Sequence, residues 1–177
     1  MNNDKNVIDA YKGWETILVK EDLERKALPY SVMMQHIHGD FNISTFIRNG
    51  NAFGVREIYY YGKRKWDRRG AVGTHNYKQL THLDSFEEIK ALKDSHRFIA
   101  IENGVPNALS INDFTPKPND LFIFGEEMMG ISQEVLALCD LCVYIPQYGS
   151  VRSLNVGTAS GILMHDISYK LLSHTQP

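Results

Sequence analysis

Two cysteines are all that the 177 residues contain, and no apolar run approaches the roughly 20 residues needed to cross a bilayer. Cys139 and Cys142 stand as C-x-x-C without a second such pair or a ligand-spaced pair of histidines. That excludes a disulfide framework and leaves buried free thiols as the expectation, with a zinc or redox site as the alternative. Neither sign of charge is in excess. The 19 Lys and Arg against 21 Asp and Glu leave a formal −2, which excludes a globally basic nucleic-acid binder while leaving room for a local basic patch. The opening residues Met1-Asn2-Asn3-Asp4-Lys5 have neither the apolar core of a secretion signal nor the acid-free, arginine-rich look of a transit peptide, so a cytoplasmic protein with no membrane partner is expected. Repeats and low-complexity stretches are missing, and no glycine-rich loop follows the first strand, which argues against an ordinary Rossmann site.

What is present suits one full core: 43% of the residues are hydrophobic. From Ser31 onward short apolar runs alternate with helical spacing. The pattern predicts strands over 32–37, 57–61, 98–101, 121–124 and 142–145, and helices over 42–53, 85–93, 132–138 and 156–172. Such alternation implies an α/β fold with a parallel sheet flanked by helices. Ser85 followed by Glu87 and Glu88 reads as a capped helix start with acids in its first turn. Residues 1–30 read as a helical extension, first amphipathic (Val7, Tyr11, Trp14, Leu18), then charged (21–26), ending at Pro29; residues 31–177 form the main domain.

Three segments carry candidate chemistry. The first, 42–54, has a buried helical stripe (Ile43, Phe46, Ile47) with Asn42 at its start and Arg48 beside the stripe, where an arginine either serves a site or covers the helix with its stem. In the second, Leu121-Phe122-Ile123-Phe124 runs into Gly125-Glu126-Glu127-Met128-Met129-Gly130, and Ser132 can cap the next helix. Ligands of open α/β sheets bind beyond the carboxyl ends of the strands, where this loop falls. The third, 145–161, is a strand end halted by Pro146, a polar loop with Ser153 and Asn155, and a helix whose first turns carry the small residues Gly157, Ala159, Ser160 and Gly161.

In this order and spacing the three segments resemble the motifs of the SpoU (TrmH-type) RNA ribose 2'-O-methyltransferases of the SPOUT class, over about residues 31 to 172. The resemblance implies a C-terminal trefoil knot that binds S-adenosylmethionine largely through backbone groups, at positions matching Ile101, Gly125, Gly130, Ile145 and Leu154. It also implies catalytic roles for Arg48, Asn42, Glu127, Ser153 and Asn155. A guanidinium normally stays protonated, so orienting the ribose and its phosphate is a better role for Arg48 than that of a general base. Departures from the family pattern are Glu126, the pair Met128-Met129, Asn49 and Gly157.

The family acts on RNA, tRNA or rRNA, generally as a homodimer, and the lack of a separate RNA-binding domain in this sequence favours tRNA. The residues Lys63, Arg64, Lys65, Trp66, Arg68 and Arg69 form a local cluster of five cations around an indole, suited to holding phosphates and stacking a base; a solvated loop with the indole tucked down is the alternative. Two other functions remain open: a knotted RNA-binding protein without activity, and a SPOUT base methyltransferase.

Overall fold

The computed structural model describes residues 7–36, 39–62, 66–78, 80–126 and 128–173. The strands are β1 (Tyr30–Gln35), β2 (Glu57–Tyr61), β3 (Leu80–Leu83), β4 (Arg97–Ile101), β5 (Leu109–Ser110), β6 (Asp120–Phe124) and β7 (Leu141–Tyr144). The helices are α1 (Thr16–Arg25), α2 (Asp40–Ala52), α3 (Phe86–Ala91), α4 (Gln133–Leu136) and α5 (Val156–Ser173). One sheet of order β3-β2-β1-β6-β4-β7-β5 holds all seven strands, and every pairing in it is parallel. Each of the five expected strands is found. The two that the pattern missed are β5, two residues long, and β3, a four-residue edge strand interrupted by His82.

The period of two along each strand explains the two-sided core. Val32, Met34, Ile99, Phe122 and Phe124 point to one face, where they meet Ile43, Phe46 and Ile47 of α2 and Leu163, Met164 and Ile167 of α5. Met33, Phe98, Ala100, Leu121 and Ile123 point to the other, against Ile89 of α3 and Val135 of α4. With β1 and β6 buried along their whole length, they form the centre of the sheet.

A charged staple fixes the opposite edge. Asp120 is fully buried, yet it accepts from Arg97 Nε at 2.7 Å and Nη2 at 2.8 Å, and from the Lys117 amide at 2.8 Å. Removing one partner of such a pair leaves an uncompensated buried charge. Arg97→Met is therefore expected to cost about 3 kcal/mol and to lower Tm by roughly 6–12 °C, read by thermal denaturation.

The N-terminal segment corrects the expectation of one amphipathic helix from Val7 to Leu18. A 3-10 turn at Asp9–Tyr11 is separated from α1 by Gly13 at φ +78°, a left-handed conformation that interrupts helical progression. Trp14, Ile17 and Leu18 consequently stay exposed, while Val19 and Asp22 are buried. Asp22 accepts from Tyr11 Oη at 2.7 Å and from Arg25 and Lys26, and these donors hold its carboxyl well below the usual carboxylate range.

Candidate active site

Loops at the carboxyl ends of β4, β6 and β7 enclose a cleft of about 450 Å³. Its walls include Ile101, Gly125, Gly130, Ile145, Leu154 and Ser153, so six residues expected from the sequence to act together face one space. The size is within the range of small-molecule sites, roughly 300–1,000 Å³. Isoleucine, leucine and valine side chains give it apolar sides, and the glycines leave main-chain groups within a ligand's reach.

Gly125 is dictated by contact. A Cβ there would lie 2.1 Å from the carbonyl carbon of Gly130 and 2.2 Å from the nitrogen of Ile131, closer than any side chain tolerates. The loop closes on itself through two main-chain bonds, Gly130 N–H to Glu126 O at 2.8 Å and Glu126 N–H to Gly130 O at 3.1 Å. Two side chains that sequence reasoning missed pin its far end. Glu102 Oε2 accepts from the Ile131 amide at 3.2 Å. Gln35, buried at the end of β1, donates from Nε2 to Ser132 Oγ at 2.7 Å and accepts from the Ser132 amide at 3.1 Å. An acid directly after one strand and an amide ending another, both at carboxyl ends, were the available signals. Ser132 in turn caps α4, as expected.

The first and third segments meet across α2 and α5. Asn155 donates from Nδ2 to Asn42 Oδ1 at 2.9 Å and accepts the Thr158 amide at 3.3 Å, so both ends of its amide are engaged and its orientation is set. About two turns along α2, Asn49 Nδ2 donates to Gly157 O and to Ser160 Oγ, both at 3.0 Å. A Cβ on Gly157 would lie 3.1 Å from Thr45 Cγ2, so the small residues of α5 are explained by close helix packing. Asn49, a departure from the family pattern, is thereby a structural clamp.

Arg48 is placed differently. It is exposed, in a row with Phe41, Thr45 and Ala52, and is not among the residues facing the cleft. Along the axis it lies about 9 Å from Asn42. Glu127, Lys63, Arg64 and Lys65 lie outside the described residues. Of the rest of the basic cluster, Arg68 and Arg69 are exposed, but Arg69 is drawn back onto Asp67, with Nε at 2.7 Å from Oδ2. The Trp66 indole is half-buried, packs against the core and meets His75 edge-on at 6.2 Å. The packing alternative thus describes Trp66 better than an open stacking face. Burial pushes the Cys139 thiol up to about 12 and raises Cys142 as well, so both stay protonated at neutral pH and are poor metal ligands or nucleophiles.

An open parallel sheet with its cleft outside the strand carboxyl ends, built by two helix-starting loops, is a ligand-binding α/β architecture. A model of the SpoU rRNA Methylase family matches residues 29–165, and the chain belongs to that family. It is 31% identical over 150 residues to the tRNA (guanosine(18)-2'-O)-methyltransferase of Escherichia coli K12, covering 82% of this chain and 66% of that protein. The chain thus spans just under two thirds of that relative. Its fold is similar to that of the TrmH/SpoU tRNA modifying enzyme of Aquifex aeolicus, with a TM-score of 0.80 at 22% identity, covering 90% of this chain and 83% of that one. It is similar too to the SpoU methyltransferase AviRb of Streptomyces viridochromogenes in complex with AdoMet, with a TM-score of 0.75 at 21% identity, covering 84% and 59%.

Proposed function

We propose that the protein is an S-adenosylmethionine-dependent RNA methyltransferase acting on a ribose 2'-hydroxyl, with tRNA the favoured substrate. The observation that carries this reading is the Asn155–Asn42 hydrogen bond at 2.9 Å, which joins the first and third segments beside the cleft. The cofactor, when bound, supplies an activated methyl group, leaving the protein to orient and desolvate. Ile101, Ile145 and Leu154 form apolar walls for it, while the backbone at Gly125, Glu126 and Gly130 offers amides and carbonyls. Ser153 and Asn155 fix the acceptor hydroxyl, whose proton must leave as the methyl arrives. Arg48 presents a guanidinium to the ribose and its phosphate, and Glu127 shapes the second loop.

The same reading includes a trefoil knot in the C-terminal half, a cytoplasmic setting and a division into residues 1–30 and 31–177. It also includes a homodimer. Ile162, Tyr169 and Leu172 are exposed at three- and seven-residue spacing on α5 with His165 between them, an apolar stripe suited to a second copy. An Arg48 that stands outside its own cleft fits a site completed by a partner subunit. No described helix is long and apolar enough to cross a membrane.

The test is methyl transfer from labelled S-adenosylmethionine to total RNA, followed by nuclease digestion. Label on ribose supports the proposal, label on a base favours a base methyltransferase, and no transfer with intact RNA binding favours a non-catalytic protein. Charge reversal refines the RNA path. Because Asp67 already engages Arg69, Arg68→Glu is expected to weaken tRNA binding about tenfold and Arg69→Glu less, with cofactor affinity unchanged for both. Equal tRNA affinity for Arg68→Glu and wild type would remove this surface from the path.

A further inference from the structure

Phe41 is 82% exposed, although the helix it opens buries Ile43, Phe46 and Ile47 almost completely. Its surroundings are specific. The ring edge lies against the turn at Arg68–Ala71, since a Cβ on Gly70 would come 3.6 Å from Phe41 Cδ1. Ser44 Oγ donates to Asp67 O at 3.2 Å and ties that turn to α2. The next residue in the chain is Asn42, whose side chain receives Asn155. Arg68 supplies an exposed cation on the same turn.

An exposed aromatic ring against a turn that carries an exposed guanidinium, one residue from the asparagine that holds Asn155, has the chemistry of a nucleobase platform: stacking on the ring, phosphate on the cation. A contact with a second copy of the chain would instead call for a continuous apolar patch, whereas the turn that Phe41 meets carries the exposed Arg68 and Arg69 beside a single exposed valine, Val72. We propose that Phe41 stacks on a base of the substrate RNA at or beside the nucleotide being methylated. The proposal rests on the RNA-methylating reading above and assigns the stacking role that Trp66, packed inward, does not fill.

The experiment compares Phe41→Ala, Phe41→Leu and Phe41→Tyr in the full chain. Affinity for unfractionated tRNA, KM and kcat for methyl transfer, S-adenosylmethionine affinity by calorimetry, and oligomeric state by light scattering are measured for each. Loss of a stacked base predicts about tenfold weaker tRNA binding and higher KM for the alanine and leucine variants. The tyrosine variant should stay near wild type, and cofactor affinity and oligomeric state should not change. Leucine matching wild type while alanine fails would make the contact merely apolar and overturn the proposal, as would unchanged tRNA affinity in the alanine variant or a change in oligomeric state. Wild-type protein that binds cofactor but neither binds nor methylates RNA removes the underlying reading and this inference with it. A wild type that methylates tRNA indifferently to Phe41 removes this inference alone.

Discussion

Arg48→Ala is expected to lower methyl transfer by on the order of 10³-fold while S-adenosylmethionine binds with wild-type affinity. The separation follows from geometry. Arg48 is exposed on α2 and outside the cleft whose walls include Ile101, Gly125 and Leu154, so truncating it removes no surface from the cofactor. It removes the cation proposed to orient the acceptor ribose and its phosphate, and misplacement of a reacting group by even 1 Å costs about 10²-fold. Arg48→Lys retains charge but loses the planar fork and should recover little. Single-turnover transfer with saturating RNA, set beside calorimetric cofactor binding, reads both quantities. Turnover within a few fold of wild type in the alanine variant would end the assignment.

Gly125→Ala is expected to abolish cofactor binding. The new methyl would fall 2.1 to 2.4 Å from the carbonyl of Gly130 and the nitrogen of Ile131, all main-chain atoms that cannot rotate aside. Relief requires opening the loop, which breaks the paired Glu126–Gly130 bonds and pulls the Ile131 amide from Glu102. Overpacking of this kind typically costs about 1–3 kcal/mol in stability, and the cleft wall moves with the loop. Gly149→Ala is the control for stability, because nothing lies within 4 Å of a Cβ there and the change should stay within about 0.5 kcal/mol. Calorimetry with S-adenosylmethionine and thermal denaturation test both; tight binding by Gly125→Ala would show that the loop is softer than its bonds imply.

Much of this arrangement is legible in the sequence because its physics is local. Strands β1, β4 and β6 are apolar on successive residues because they are buried on both faces, and helices α2 and α5 carry their stripes at three- and four-residue spacing. Glycine in the second loop and asparagine at the start of α5 are weak signals one by one, and gain their meaning from the resemblance of the three segments taken together. The polar clamps escape notice since each is a contact between distant segments: Gln35 to Ser132, Asn49 to Gly157, Glu102 to Ile131. No periodicity records such a partner. Trp66 shows the same limit in reverse, for an aromatic beside cations looks identical in sequence whether it faces solvent or core.

The hydrogen bond between Asn155 and Asn42 joins residues 113 apart, and that between Tyr30 and Ser168 joins residues 138 apart. Both bring the last helix back onto elements made first. During synthesis, then, the central strands can pair early, but the site has no second half until α5 has left the ribosome. Contacts of such long range slow folding, and a chain arrested before residue 155 would hold much of the sheet and none of the activity. The flank of α2 that awaits α5, with Thr45 and Asn49 on it, is meanwhile uncovered, so the asparagine clamps are among the last contacts of this arrangement to form.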